Sequence, residues 1–176
     1  MSRHACCFAL TFLFGVAMSS GMQSLMIPAV FFPVVAIVQP NRTVAFFVGG
    51  AYYLGASWPV ILVTRDFQDP GGFSLGLLVW LVASTLLALP WLWVWSPSPR
   101  QSLWRVPTAM LCSAVPPLGV IGWAHPLTAA GLLFPGTGWV GLLAVLCLPG
   151  GLVCWPRSWT TLGTIATVSA NLVASQ

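Results

Sequence analysis

The chain has 176 residues, of which 58% are hydrophobic and only 5% are charged. Soluble domains carry about 25% charged residues, and a soluble protein this apolar could not cover its surface with polar groups. The composition therefore excludes an ordinary soluble domain and predicts an all-α fold, a polytopic transmembrane helical bundle in which lipid accepts the apolar side chains.

A transmembrane helix needs about 20 mostly apolar residues, and the chain offers seven candidate spans. They are predicted at residues 5–18, 22–38, 43–63, 73–95, 106–123, 127–153 and 159–174. The breaks at 39–42, 65–72, 96–102 and 155–158 are polar and contain Pro, which ends helices; the break at 124–126 is weaker. We therefore interpret residues 1–176 as one transmembrane domain.

The first two candidate spans are short, which leaves two further interpretations open. They could form a re-entrant hairpin instead of two full crossings. Alternatively, Arg3, a short apolar run and the small residues at 19–21 resemble a signal peptide. Cleavage of such a peptide would not change the topology of the later spans.

The charges predict the orientation. With the N-terminus in the cytoplasm, five arginines face the cytoplasm: Arg3, Arg42, Arg100, Arg105 and Arg157. The opposite side then holds Arg65 with both acidic residues, Asp66 and Asp69. The positive-inside rule therefore predicts a cytoplasmic N-terminus and a C-terminus on the opposite side of the membrane. Tryptophans mostly near span ends agree with this: Trp80, Trp91, Trp93, Trp95, Trp104, Trp123, Trp139, Trp155 and Trp159.

Residues that carry chemistry are scarce. The chain contains no Glu and no Lys, and each Arg and Asp falls in a predicted loop or at a span boundary. We predict no catalytic, cofactor-binding or metal-binding residues, no cofactor, and no nucleic-acid partner because the basic residues are not clustered. His125 is interpreted as a solvated loop histidine, with a functional role as the alternative.

Residues 116–139 combine four prolines with five glycines. A lipid-facing helix would lose hydrogen bonds and helix propensity there, and broken helix within a bilayer is tolerated only against protein or a wet cavity. We expect this segment inside the bundle or near its periplasmic mouth, with Trp139 packed on a neighbouring helix. The alternative is a plain loop at 125–126 between two straight spans.

Two segments resemble a known family. Residues 45–54, AFFVGGAYYL, look like the third-span motif of bacterial apolipoprotein N-acyltransferases. Residues 115–139, VPPLGVIGWAHPLTAAGLLFPGTGW, resemble the TraB family of conjugal transfer proteins, relatives of those acyltransferases. The resemblance is convincing over residues 40–145. It implies a domain of the bacterial inner membrane with a periplasmic C-terminus, whose seventh span leads to a periplasmic carbon–nitrogen hydrolase domain with a Glu-Lys-Cys triad.

The hydrolase domain is expected to be absent from this sequence, because no Glu or Lys can be matched to the triad. We therefore expect a lipid-contacting or anchoring membrane domain without catalysis of its own. Its expected partners are the lipid bilayer and either a separate hydrolase domain or conjugation proteins. A non-enzymatic component of a conjugation or secretion assembly and a small transporter remain alternatives. A fragment, a truncated paralogue and a shifted reading frame also remain open.

Overall fold

The computed structural model describes residues 3–68, 71–121 and 125–154, and these residues form helices, turns and loops without any strand. The α-helices are α1 (Arg3–Ser19), α2 (Gln23–Met26), α3 (Phe32–Ile37), α4 (Arg42–Ser57), α5 (Pro59–Phe67), α6 (Gly72–Ala88), α7 (Trp91–Val94), α8 (Ser102–Ala114), α9 (Ala130–Leu133) and α10 (Trp139–Cys154). Short 3₁₀ segments lie at Ile27–Phe31, Pro99–Gln101, Leu118–Val120 and Pro126–Ala129. The predicted all-α class is therefore confirmed.

The tightest helix crossing joins α1 to α4. A Cβ added to Gly15 would overlap the carbonyl oxygen of Tyr52, and one added to Gly55 would overlap that of Phe12. Small residues at such points let two helix backbones approach closely. Phe8, near the start of α1, lines a groove together with Phe46 and Phe47, near the start of α4. The Trp58 indole, just after α4, donates to the Ser19 hydroxyl at the end of α1 over 3.0 Å, so the two helices run parallel.

Helix α4 also packs against α6 and α7, in the opposite sense. Gly49 and Gly50 of α4 lie beside Trp91 and Ala88, respectively. Farther along, the Trp80 indole donates a hydrogen bond to the Leu54 carbonyl over 2.9 Å. Higher numbers on α6 therefore meet lower numbers on α4, and this pair is antiparallel.

Helices α8 and α10 form a second antiparallel pair. Gly150, near the end of α10, approaches Ser102 at the start of α8 so closely that its added Cβ would lie 2.9 Å from the Ser102 carbonyl oxygen. The thiol of Cys154 donates to the Pro99 carbonyl at 3.0 Å. The end of α10 and the loop before α8 therefore lie at the same end of the molecule.

Prolines and glycines divide several of the predicted spans. The second span, 22–38, becomes α2, a 3₁₀ segment and α3, with Pro28 and Pro33 at the starts of the later pieces. The third bends by 43° at the junction of α4 and α5, where Pro59 begins the second helix. The fifth ends at Ala114, before two prolines, rather than at 123. The sixth, 127–153, is interrupted between α9 and α10 by residues 134–138.

Only one helical stretch in the described part of the chain is long and apolar enough to cross a membrane. It is Gly72–Val94, of 23 residues, and the bent pair α4–α5 would be a second if it counts as one span. The length of the individual helices thus does not support a seven-span bundle. The predicted seventh span, 159–174, lies outside the described residues.

Candidate functional site

An aromatic centre lies where α3, α4 and α7 meet. It consists of Phe32, Tyr52, Tyr53 and Trp91, all of which are buried. The Phe32 and Tyr52 rings are stacked with centroids 4.1 Å apart, and the Phe32 and Trp91 centroids are 4.3 Å apart. Gly49 is required beside this centre, because a Cβ there would lie 2.8 Å from the Trp91 ring. Trp91 is therefore a core residue rather than an exposed span-end tryptophan.

His125 is buried and hydrogen-bonded. Its Nε2 lies 2.8 Å from the Ser113 hydroxyl, and its Nδ1 accepts a hydrogen bond from the Leu127 amide over 3.1 Å. A ring that accepts at Nδ1 carries its proton on Nε2 and is neutral. Burial lowers the pKa of His125 to about 4.

The prediction of a solvated His125 is therefore wrong. The 3₁₀ segment Pro126–Ala129 folds back against the segment Ile27–Phe31, and this carries the imidazole into the interior. Spacing along the sequence could not reveal the contact, because its two sides lie about a hundred residues apart.

Four residues form a buried polar cluster: Tyr53, Trp91, Ser113 and His125. Ser113 and Trp91 approach the Tyr53 hydroxyl, but neither reaches hydrogen-bonding geometry, so the hydroxyl and the Trp91 Nε1 have no partner among the described residues. The cluster contains no carboxylate, and its histidine is held neutral by burial and by the Leu127 amide that donates to Nδ1. This arrangement joins α4, α7, α8 and the segment after residue 125. Because the Nε2 of His125 already carries a proton, it does not accept the Ser113 proton as a general base would.

An apolar groove of about 670 Å³ opens between α1, α4 and α6. We call it the α4–α6 groove; its lining is Phe8, Phe46, Phe47, Gly50, Ala51, Leu54, Leu81, Ser84, Thr85 and Ala88. The Thr85 hydroxyl donates to the Leu81 carbonyl, whereas the Ser84 hydroxyl is buried without a partner. The volume of the α4–α6 groove lies within the range of about 300–1,000 Å³ that is typical of ligand pockets.

The groove was not predicted from the sequence, although a signal was present. Phe47, Gly50, Ala51 and Leu54 follow one another at helical spacing and so share a face of α4. Two small residues between two large ones leave a depression on that face. Whether α1 and α6 would border the depression depended on the glycine crossings, which sequence spacing does not reveal.

Residues 116–139 are divided between the interior and the surface. His125, Pro126, Ala129 and Ala130 are buried, in agreement with the expected position inside the bundle. Trp139, however, is 80% exposed, so the prediction that it packs on a neighbouring helix is wrong. The glycines at 136 and 138 adopt positive φ angles of 75° and 55°, and the turn that they form leaves the start of α10 at the surface.

The described residues contain no group of three or more His, Cys, Asp or Glu that could hold a metal ion. All five cysteines are free, with Cys6, Cys112 and Cys147 exposed and Cys7 and Cys154 partly buried. The ion pair between Arg65 and Asp66 is exposed, with 2.9 Å between Nε and Oδ1. The described part of the chain therefore offers mainly apolar contact, together with hydroxyl groups, free thiols and single exposed charges.

Two curated proteins are similar to this chain. The probable conjugal transfer protein TraB of Sinorhizobium fredii (strain NBRC 101917 / NGR234) is 38% identical over 139 residues, which cover 78% of this chain and 36% of that protein. Conjugal transfer protein TraB of Agrobacterium fabrum (strain C58 / ATCC 33970) is 36% identical over 177 aligned residues, covering 92% of this chain and 41% of the relative. The chain is similar to TraB-type conjugal transfer proteins.

The chain spans about two fifths of the length of the TraB relatives that it matches. No protein-family model and no solved structure matches it. The expected likeness to TraB is thus supported. The likeness to apolipoprotein N-acyltransferases stays a prediction, because neither relative bears that name.

Proposed function

We propose that the chain is a membrane-embedded domain of a TraB-type conjugal transfer protein, which anchors that protein and holds a lipid acyl chain without catalysing a reaction. The observation that carries this proposal is the α4–α6 groove, an open and almost wholly apolar depression. In a bilayer the protein is surrounded by lipid acyl chains, so an open apolar groove of this size would be filled by one of them. The similarity to TraB supports a role in conjugation.

The outer surface of the helices supports placement in a bilayer. Helix α6 exposes large hydrophobic side chains on several sides: Phe73, Leu75, Leu78, Val79, Leu81, Val82 and Leu86. Soluble monomers rarely expose contiguous apolar patches larger than a few hundred Å². Lipid contact removes the cost of this surface, which is about 25 cal/mol for each Å² in water.

The arrangement of the arginines supports the orientation. The Trp95 indole donates to the Gln39 carbonyl over 2.9 Å, so the loops that hold Arg42 and Arg100 lie at one end of the bundle. Because α1 and α4 are parallel, Arg3 lies at that end too. Arg65 follows the far end of α4, on the opposite side. We therefore propose that the basic end faces the cytoplasm and that the bundle lies in the bacterial inner membrane.

A spin-labelled phospholipid tests the groove directly. The protein is reconstituted into nanodiscs, and electron paramagnetic resonance measures the fraction of acyl chains that the protein immobilises. Ala51→Phe fills the groove and should lower this fraction. Leu78→Phe changes an exposed position outside the groove and serves as the matched control. An unchanged fraction in Ala51→Phe would show that the groove holds no chain.

Placement in the bilayer is tested separately, by extracting membranes that contain the expressed chain. We expect it to stay in the pellet in alkaline carbonate and to dissolve only in detergent. Release by carbonate would refute the membrane placement, whatever the groove binds.

A further inference from the structure

Arg105 has an unusual environment at the basic end. Its guanidinium lies over the rings of Trp93 and Trp104, with its carbon atom 5.0 Å and 5.3 Å from the two centroids. Its Nη1 donates to the carbonyl oxygens of Trp93 and Trp95 over 3.3 Å and 2.7 Å. These contacts fix the side chain where α7 ends and α8 begins.

The charge of Arg105 is not neutralised within the described part of the chain. The ion pair in the described residues joins Arg65 and Asp66, which lie at the end of the bundle opposite to Arg105. All of the acceptors of Arg105 are carbonyl oxygens, and its Nε has no acceptor although it is buried. An arginine has five donors in a planar fork that matches the oxygens of a carboxylate or a phosphate. The charge of Arg105 is therefore available to an anion from outside the described part of the chain.

A second apolar groove begins beside this charge. The α7–α8 groove has a volume of about 270 Å³ and is lined by Pro90, Trp93, Thr108, Ala109 and Cys112. Trp93 belongs both to this groove and to the aromatic pair around Arg105. The positive charge thus lies next to the groove, on the same tryptophan.

We propose that α7 and α8 bind an anionic phospholipid, with its phosphate on Arg105 and one acyl chain in the α7–α8 groove. The combination of a fixed cation and an adjoining apolar groove matches the two parts of such a lipid. Trp93 and Trp104 are 50% and 49% exposed, as tryptophans are at the boundary between headgroups and acyl chains. This proposal rests on the membrane placement proposed above, but not on the α4–α6 groove.

A photoreactive lipid tests the site. The protein is placed in phosphatidylcholine nanodiscs that contain a small fraction of phosphatidylglycerol with a diazirine on one acyl chain. After illumination, mass spectrometry measures adducts on residues 90–112. We expect these adducts to exceed those from an equal fraction of diazirine phosphatidylcholine. Arg105→Gln should lower them about tenfold, since it removes the charge and the charged donors that would bind the phosphate.

Three variants separate the site from general effects. Arg105→Lys keeps the charge and should keep most of the adducts. Arg42→Gln removes a different arginine from the same end and should leave them unchanged. Thr108→Phe fills the groove while Arg105 remains, so it should abolish adducts in the groove even if Arg105→Gln fails to fold.

Several outcomes would overturn the inference. Equal labelling by the two lipids, or unchanged labelling in Thr108→Phe, would show that α7 and α8 form no such lipid site. Loss of labelling in excess inorganic phosphate or single-stranded DNA would show that another phosphate source is the occupant. Failure of the chain to enter nanodiscs would overturn both proposals, whereas entry without selective labelling would overturn this one alone.

Discussion

The crossing of α1 and α4 predicts opposite effects for the same substitution at two glycines of α4. Replacing Gly by Ala at an uncrowded position within a helix stabilises that helix by about 0.8–1.0 kcal/mol, because Ala has the higher helix propensity. At Gly50 the new Cβ would meet only the Ala88 Cβ at 3.8 Å, which is ordinary contact, so Gly50→Ala should keep this gain. At Gly55 the new Cβ would overlap the Phe12 carbonyl and lie 3.0 Å from the Val16 amide nitrogen.

Backbone atoms cannot rotate away, so Gly55→Ala must push α1 from α4. Overpacking of this kind costs about 1–3 kcal/mol, and a value near 3 kcal/mol is expected because the obstacle is backbone. After the gain in propensity, the net loss is about 2 kcal/mol. For a chain of this size 1 kcal/mol shifts the melting temperature by about 2–4 °C. Gly55→Ala should therefore melt about 4–8 °C lower than the wild type and Gly50→Ala about 2–4 °C higher.

Thermal unfolding in detergent, followed by far-UV circular dichroism, measures both shifts. The two variants have the same composition and the same helix, so propensity cancels in the comparison between them. A melting temperature of Gly55→Ala equal to or above that of Gly50→Ala would refute the close crossing.

Three further predictions concern buried polar groups and the cysteines. Ser84→Ala should not lower the melting temperature, since the Ser84 hydroxyl lacks a partner in the described part of the chain. Ser113→Ala should lower the free energy of unfolding by about 1–3 kcal/mol, because it removes the hydrogen-bond partner of His125. Equal melting temperatures for the two variants would contradict this. The pKa of His125 is lowered to about 4, so neutral His125 stabilises the fold fully above pH 6.5, and this stabilisation is lost as the pH falls toward 4. The free energy of unfolding should therefore fall by about 2 kcal/mol between pH 7.5 and pH 5. His125→Asn should lack this loss, and the same pH dependence in that variant would exclude His125 as the cause. The purified chain should form no hydroxylamine-sensitive thioester with a phospholipid donor, because it has no Glu or Lys to activate a cysteine; an acyl adduct on any cysteine would overturn this.

The positions of the long apolar helices followed from local composition. Helix α6 covers most of the predicted fourth span because residues 72–88 contain no Pro and no charge. The second span failed as a continuous helix, since Pro28 and Pro33 each begin a new helical piece. Local chemistry thus predicted where helix exists, and prolines that hydropathy alone overlooks decided where it breaks.

The groove and the buried His125 could not be read from the sequence, because both depend on contacts between distant segments. His125 is buried through the packing of Pro126–Ala129 on Ile27–Phe31. Arg105 was predicted to precede a span that begins at residue 106, whereas it lies within α8, and the two tryptophan rings around it come from different helices. Hydropathy and charge spacing give no information on such pairings.

The proposal that the bundle lies in the inner membrane with its basic end in the cytoplasm is tested most directly by a pair of reporter fusions. Gln68 follows α5 at the Arg65 end, and Ser98 lies in the loop beside Arg100 at the basic end. Alkaline phosphatase, which is active only in the periplasm, and green fluorescent protein, which fluoresces only in the cytoplasm, are fused after each residue in turn. We predict phosphatase activity at Gln68 and fluorescence at Ser98. Fluorescence at both positions, or the reverse assignment, would contradict the proposed membrane domain and its orientation.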